Sequence, residues 1–371
     1  MTLALEVWDG LSWIDKTGSC VSLRRHIRSN GLEELDGELV KDLVSVGQEI
    51  RLKEDDRIIF MGVVYEVDRR HRGRDVERCG FKAYDYLIKY DRHVVYRLYQ
   101  TGTKAGEIIW DLGKLAKDEV PVILGGIEDG DSLLSPWEIQ NEKALDVMKS
   151  VARGINYWLR MKPYPHLSMN CQSYVRIPES SSINPSNFTY LWWFRHRSGG
   201  SGGGYSRIFG RGGFRFEVAI DAETSELKFY DGSWKSFNYF LPFNVWHCLA
   251  ITYDGSEVKL YVDGELKRVV SGGRALSGDQ YIGSQYLGGE RVKGDYGATL
   301  LYGDVLDDSE IRQVCRNVMN PITDNLAFWL PMNEGEGSIA HDKSGNGNDG
   351  EIHNPLWDYS ILLEFKPKVT A

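Results

Sequence analysis

Glu217, Asp221 and Glu223 fall at even spacing in Glu217-Val218-Ala219-Ile220-Asp221-Ala222-Glu223, so a straight strand would aim all three at one face. Carboxylates so aligned are the equipment of glycoside hydrolysis, where a retaining mechanism holds two of them about 5 Å apart. Here Ala219 occupies the position between Glu217 and Asp221 on that face, and Asp221 to Glu226 reads as a polar hairpin turn. No catalytic residue is assigned on this pattern. Asp342-Lys343-Ser344-Gly345-Asn346-Gly347-Asn348-Asp349-Gly350 is a second candidate, a turn-rich run of hard oxygen donors of the kind calcium takes. Its first candidate metal ligands are Asp342, Asn346 and Asn348, with a self-satisfied Asx/Gly turn cluster as the alternative. A third stretch, Tyr230 to Tyr239, sets several rings near the turn Asp231-Gly232-Ser233. Aromatic faces beside polar groups suit sugar rings, which makes Trp234, Tyr239 and Tyr205 candidate carbohydrate-binding residues; the alternative is that they plug a sheet edge or a subunit contact. His247, beside Trp246 at the start of a strand, reads as a packed core histidine.

These residues need a sheet scaffold to position them, and residues 246–265 supply its clearest sign. Two runs of alternating apolar residues are joined by Asp254-Gly255 and closed by Asp263-Gly264. Asp-Gly between alternating runs predicts a hairpin, since glycine accepts the positive φ of a tight turn. From about residue 167 onward the chain reads as all-β, with short alternating runs and many Gly and Asp turns. Ser198 to Gly204 has linker composition, but strand-like sequence flanks it, so it is expected to be a long mobile loop within one module.

Residues 1–165 read as a mixture of strands and helices. Strands are predicted on either side of the turn Lys53-Glu54-Asp55-Asp56 and from Asp75 to Phe81. Ala105, Ile108, Ile109, Leu112, Leu115 and Ala116 recur at helical spacing, with Thr103 as N-cap. Ala144, Leu145, Met148, Val151 and Ala152 form a second stripe ending at Gly154, preceded by the capping-box form Ser135-Pro136-Trp137-Glu138. Lys162-Pro163-Tyr164-Pro165 marks the boundary, an extended connector by its two prolines. The organisation expected is 1–165, 166–358, and a C-terminal strand or tail over 359–371.

The totals exclude several classes. A net charge of −9 argues against nucleic-acid binding through a broad basic field, and the one basic cluster, Arg69 to Arg74, sits between strands as a solvated turn. The five cysteines (20, 79, 171, 248 and 315) are odd in number and scattered, which fits free thiols in a reducing compartment better than a disulfide framework. No signal peptide and no apolar run of membrane-spanning length is visible, so membrane insertion is not expected.

The second half resembles the laminin-G-like (concanavalin A-like) jelly-roll family. The resemblance rests on residues 167–194 with Asn187-Phe188-Thr189 leading into an aromatic strand, residues 207–221, the 246–265 hairpin, Tyr281-Ile282-Gly283, and residues 294–315. Residues 325–352 look like the segment that normally opens such a domain but come last, which implies a circular permutation or the start of a second copy. Permutation is favoured, because the segment is too short to bury a core alone. The resemblance implies binding more than cleavage, a structural calcium near the Asp342 loop, and, against the laminarinase-type glycosidases of the same fold, the absence of their E-x-D-x-E spacing. The first half is similar, more weakly, to the tail-hub and baseplate-hub proteins of tailed bacteriophages. Carrying that likeness are the strand pair around Gly62, Lys82–Tyr90, Tyr99-Gln100-Thr101-Gly102 before a helix, and Ile155-Asn156-Tyr157-Trp158.

Together these imply a multidomain chain: an α+β hub-like domain, then an all-β jelly-roll sandwich. The function implied is a virion tail or baseplate protein, made in the host cytoplasm and not an enzyme. Its partners would be other virion tail proteins, copies of itself in a ring (a trimer by resemblance) and a host-surface glycan. A purely architectural clamp between subunits is the alternative, and a glycoside hydrolase the third.

Overall fold

The computed structural model describes residues 2–368 apart from 29–30, 73–74, 201–203, 212–215, 222 and 286–289. The chain divides into two compact units, residues 1–163 with 361–371, and residues 164–360. It passes from the first to the second within the strand Tyr157–Asn170 and returns within Trp357–Pro367.

The first unit is built on a seven-stranded antiparallel sheet. Glu49–Glu54 and Arg57–Arg72 pair around Asp55 and Asp56, both at positive φ (46° and 66°), the geometry a two-residue hairpin turn requires. Asp75–Asp85 continues the sheet against Arg57–Arg72. Alternation sends Leu5, Val7, Leu35, Leu39, Ile50, Leu52, Phe60 and Phe81 into one buried cluster. Both expected helices form, as Ala105–Gly113 and Ala144–Gly154. Two details differ from expectation. The first helix is capped at Lys104, whose N–H donates to Glu107 Oε2 at 3.0 Å, not at Thr103. The proposed capping box at Ser135–Glu138 does not cap the second, because Trp137–Lys143 is a strand paired with Val94–Tyr99. Glu364 lies among Arg160, Lys162 and Lys366. Residues Ile361 to Phe365 pair in parallel with Val122–Ile127. Of the basic cluster, residues 73–74 lie outside the described residues, and Arg69 donates to Val44 O and Ser45 Oγ at 3.1 and 3.2 Å.

The second unit is a two-sheet sandwich. One sheet runs Glu265–Ser271, Glu257–Val262, Trp246–Tyr253, Phe188–Gly200, Val292–Tyr302 and on to residues 167–170. The other runs Trp234–Phe240, Glu226–Tyr230, Glu217–Asp221, Tyr205–Arg211, Gln280–Ile282, Tyr174–Ile177, Gly350–His353 and Ile339–Ala340. A single buried cluster draws Trp192, Phe194, Leu249 and Leu260 from the first and Phe209, Val218, Phe229 and Ile282 from the second. The 246–265 hairpin forms as expected, and Asp263 and Gly264 close it at φ 51° and 76°. Residues 325–352 enter both layers: Leu326–Leu330 pairs with Val292–Tyr302, and Gly350–His353 with Tyr174–Ile177. They complete this sandwich and begin no second one. Residues 201–203 of the Gly-Ser stretch lie outside the described residues.

The cysteine expectation is corrected in part. Cys248 and Cys315 form a disulfide that ties the strand Trp246–Tyr253 to the helix Asp308–Arg316, while Cys20, Cys79 and Cys171 are free. The partners are 67 residues apart, so no local spacing announces the bond.

Candidate functional site

The outward face of the second sheet is assembled by register. Val218 and Ile220 point into the core, so Glu217, Ala219 and Asp221 face away from it. Tyr205 lies opposite Asp221, Arg207 opposite Ala219 and Ala219 opposite Lys228; Glu217 lies opposite Tyr230, and Tyr230 opposite Trp234. Trp234 lies over this face with its ring stacked on Tyr205, centroids 4.5 Å apart and planes 24° from parallel. The Arg207 guanidinium sits 4.6 Å from the centroid of the Trp234 ring, and the Lys228 ammonium 5.1 Å from that of Tyr205. Both rings remain half-buried, as an exposed platform underpinned by cations would be.

Beneath the platform, Arg207 Nε donates to Glu217 Oε2 at 2.8 Å, and Arg207 Nη1 pairs with Glu290. Glu217 is only 1% exposed, and its Oε1 has no hydrogen-bond partner among the described residues. Burial pushes the Glu217 carboxyl above the ordinary range, although Arg207 opposes the shift. Lys228 pairs with Asp221 and Glu226 at 3.3 and 3.2 Å.

The structure brings Tyr205 and Trp234 together and separates Tyr239 from them. Side chains alternate along Trp234–Phe240, so that Phe237 and Tyr239 pack against the core while Phe240, at even spacing from Trp234, stands 58% exposed. Sequence reasoning missed Arg207, Glu290 and Phe240. A charged residue at an outward position of a central strand was the available signal for Arg207. Ala219 holds the position between Glu217 and Asp221 on this face, and Asp221 is engaged in capping its turn through Glu223 N and Thr224 N.

The Asp342 loop is organised differently. Asp342 Oδ1 accepts from Trp329 N and Ser344 N, and Oδ2 from Ser344 Oγ and Asn348 N, all at 2.9 Å. Asn346 turns its amide group to the carbonyls of Leu326 and Ala327; Asn348 donates to Ala327 O and Ser182 Oγ and accepts from Ser180 Oγ. Both oxygens of Asp342 and the Oδ1 of Asn348 are engaged in bonds that a calcium ion would have to displace, whereas Asn346 bonds through its Nδ2. The knot instead walls a shallow cleft of about 300 Å³ with Pro178, Glu179, Ile339 and Asp349. His26, Glu34 and Asp36 also converge within 4.8 Å, but Glu34 already faces Arg28 and Lys82. His247 is packed as expected, 3% exposed with Nδ1 2.9 Å from Asp263 Oδ2.

Residues 169–312 match the family model described as the concanavalin A-like lectin/glucanases superfamily. The C-terminal half therefore carries a laminin-G-like domain, as its motifs indicate. No curated protein matches the chain. Among solved structures, the chain is similar to a protein from Bacteroides ovatus described as a candidate carbohydrate-binding protein, with 13% identity and TM-score 0.45 over 84% of this chain and 79% of that one. It is also similar to domain 4 of a GH43 extracellular arabinanase from Geobacillus stearothermophilus, in complex with arabinotriose (17% identity, TM-score 0.35, 40% of this chain and 76% of that one). A third is a tail protein from Neisseria meningitidis (12%, 0.34, 44% and 48%). No helix among the described residues is long and apolar enough to cross a membrane.

Proposed function

We propose that the sandwich is a glycan-binding module that binds without cutting, and that the chain is a virion tail or baseplate protein which displays it. The observation that carries the glycan reading is the stacked Tyr205–Trp234 pair above a buried carboxyl, one oxygen of which has no partner among the described residues. A pyranose offers an apolar face to such rings and hydroxyls to such an oxygen. The tail assignment is supported by the order of the first-half sequence pieces. On this reading, weak contacts per module add up when copies sit in a homo-oligomeric ring among other tail proteins and meet a host-surface glycan. Its place is then the virion, after synthesis in the host cytoplasm. A glycan array probed with the full chain and with Trp234→Ala tests the module: wild-type binding that the variant loses supports it, and equal signals from both refute it.

A second reading, an inter-subunit clamp, is favoured by a specific feature of the first unit. Val94, Tyr96 and Leu98 stand 53%, 64% and 58% exposed on one face of the ribbon Val94–Tyr99, an apolar strip suited to a neighbouring protein. Mass measurement of Tyr96→Glu in solution tests it, the clamp predicting that a wild-type assembly dissociates.

A further inference from the structure

The charges around the platform restrict which glycan it can accept. Two cations, Arg207 and Lys228, stand against four carboxylates, Glu217, Glu290, Asp221 and Glu226, each in direct ion-pair contact with one of them. The neighbouring Lys235 is matched by Asp231 at 2.8 Å and leaves that balance unchanged. Arg207 is the residue that would clamp an anionic sugar, since a guanidinium binds carboxylate or phosphate through its fork. Here Nε is held by Glu217, Nη1 by Glu290, and the side chain is nearly buried under Trp234. At this pair an incoming carboxylate or sulfate would meet surplus acceptors and a guanidinium whose Nε and Nη1 are already engaged. A hydroxyl, by contrast, has an acceptor to meet: Glu217 Oε1 is buried, has no partner among the described residues and can only accept when ionised.

We propose that this face is selective for neutral glycans, with Glu217 accepting a hydrogen bond from a sugar hydroxyl and Glu290, Asp221 and Glu226 rejecting carboxylated, sulfated or phosphorylated ones. The proposal rests on the glycan-binding reading of the Tyr205–Trp234 platform and specifies its substrate class. Rejection by like charge is a recognised route to specificity, because a partner is excluded by an unfavourable contact as much as chosen by a favourable one.

The test uses the full chain and matched oligosaccharides, one galactose-terminated and the other the same chain bearing a terminal sialic acid, in biolayer interferometry at low and high salt. The neutral ligand is expected to bind about ten-fold tighter at low salt, and added salt should narrow the gap by screening the repulsion. Glu226→Gln and Glu290→Gln should narrow it too; Glu226→Gln removes a carboxylate paired with Lys228 and not with Arg207, and keeps the test valid should Glu290→Gln disturb Arg207. Equal affinities, or tighter binding of the sialylated ligand, overturn the selectivity while leaving the platform's role intact. Binding of neither, by protein shown folded by circular dichroism, overturns the glycan reading and this proposal with it.

Discussion

The Asp342 knot and the Tyr205–Trp234 face are built on the same sheet from similarly polar sequence, yet they use their oxygens in opposite ways. At the knot, both oxygens of Asp342 are spent on donors from Trp329, Ser344 and Asn348, and Asn346 and Asn348 tie back to the carbonyls of residues 326 and 327. On the outward face, Glu217 keeps an oxygen with no partner among the described residues beneath two stacked rings. A run of oxygen-bearing residues therefore does not mark a binding site by composition. What distinguishes one is capacity left over after the fold has satisfied itself.

The largest effect is expected in the scaffold: reducing Cys248–Cys315, which closes a 67-residue separation, should cost about 4 kcal/mol of unfolding free energy by urea titration, with glycan affinity at moderate temperature unchanged. Asp342→Ala should cost about 3 kcal/mol, since it strands donors that a charged acceptor had satisfied. If it instead lowered glycan affinity without loss of stability, the knot would be part of the site.

Acid supplies a third scaffold test. Burial holds His196 down to about 4, below its ordinary 6.5, so the unfolded chain takes up a proton across that window while the folded chain refuses it. Stability should fall as pH drops from 6.5 toward 4, by at most about 3 kcal/mol, since each ten-fold difference in proton affinity between the two states is worth ~1.4 kcal/mol. His196→Gln should flatten that stretch of the pH–stability curve. On the platform side, Trp234→Ala should weaken glycan binding about ten-fold, roughly 1.4 kcal/mol, while the melting temperature stays nearly constant. The smallest effect is none: chelator should leave the melting temperature unchanged, and a drop would restore the metal to the Asp342 loop.

Local rules made much of the fold legible. Asp-Gly turns and period-two alternation located the 246–265 hairpin, and the stripe from Ala144 to Ala152 located its helix. The late strands were legible because their sequence resembled an opening segment, and the pairings of 326–330 and 350–353 place them within the same sandwich. What escaped depended on distant partners. Cys248 meets Cys315 through tertiary packing alone, and Ser135–Glu138 looked like a cap because the pairing of Trp137–Lys143 with Val94–Tyr99 is invisible locally. Tyr239 was misplaced because it lies five residues from Trp234, and an odd spacing on a strand sends the two rings to opposite faces. Arg207 and Glu217 emerge as a pair only once Tyr205–Arg211 lies beside Glu217–Asp221.

Side-chain footprinting of the full chain, with and without a bound neutral glycan, reads which of the two surfaces the glycan covers. Protection of Tyr205 and Trp234, with Ile339 and His341 beside the knot labelled equally in both states, is the predicted result. Protection confined to Ile339 and His341, with Trp234 unchanged, would contradict it.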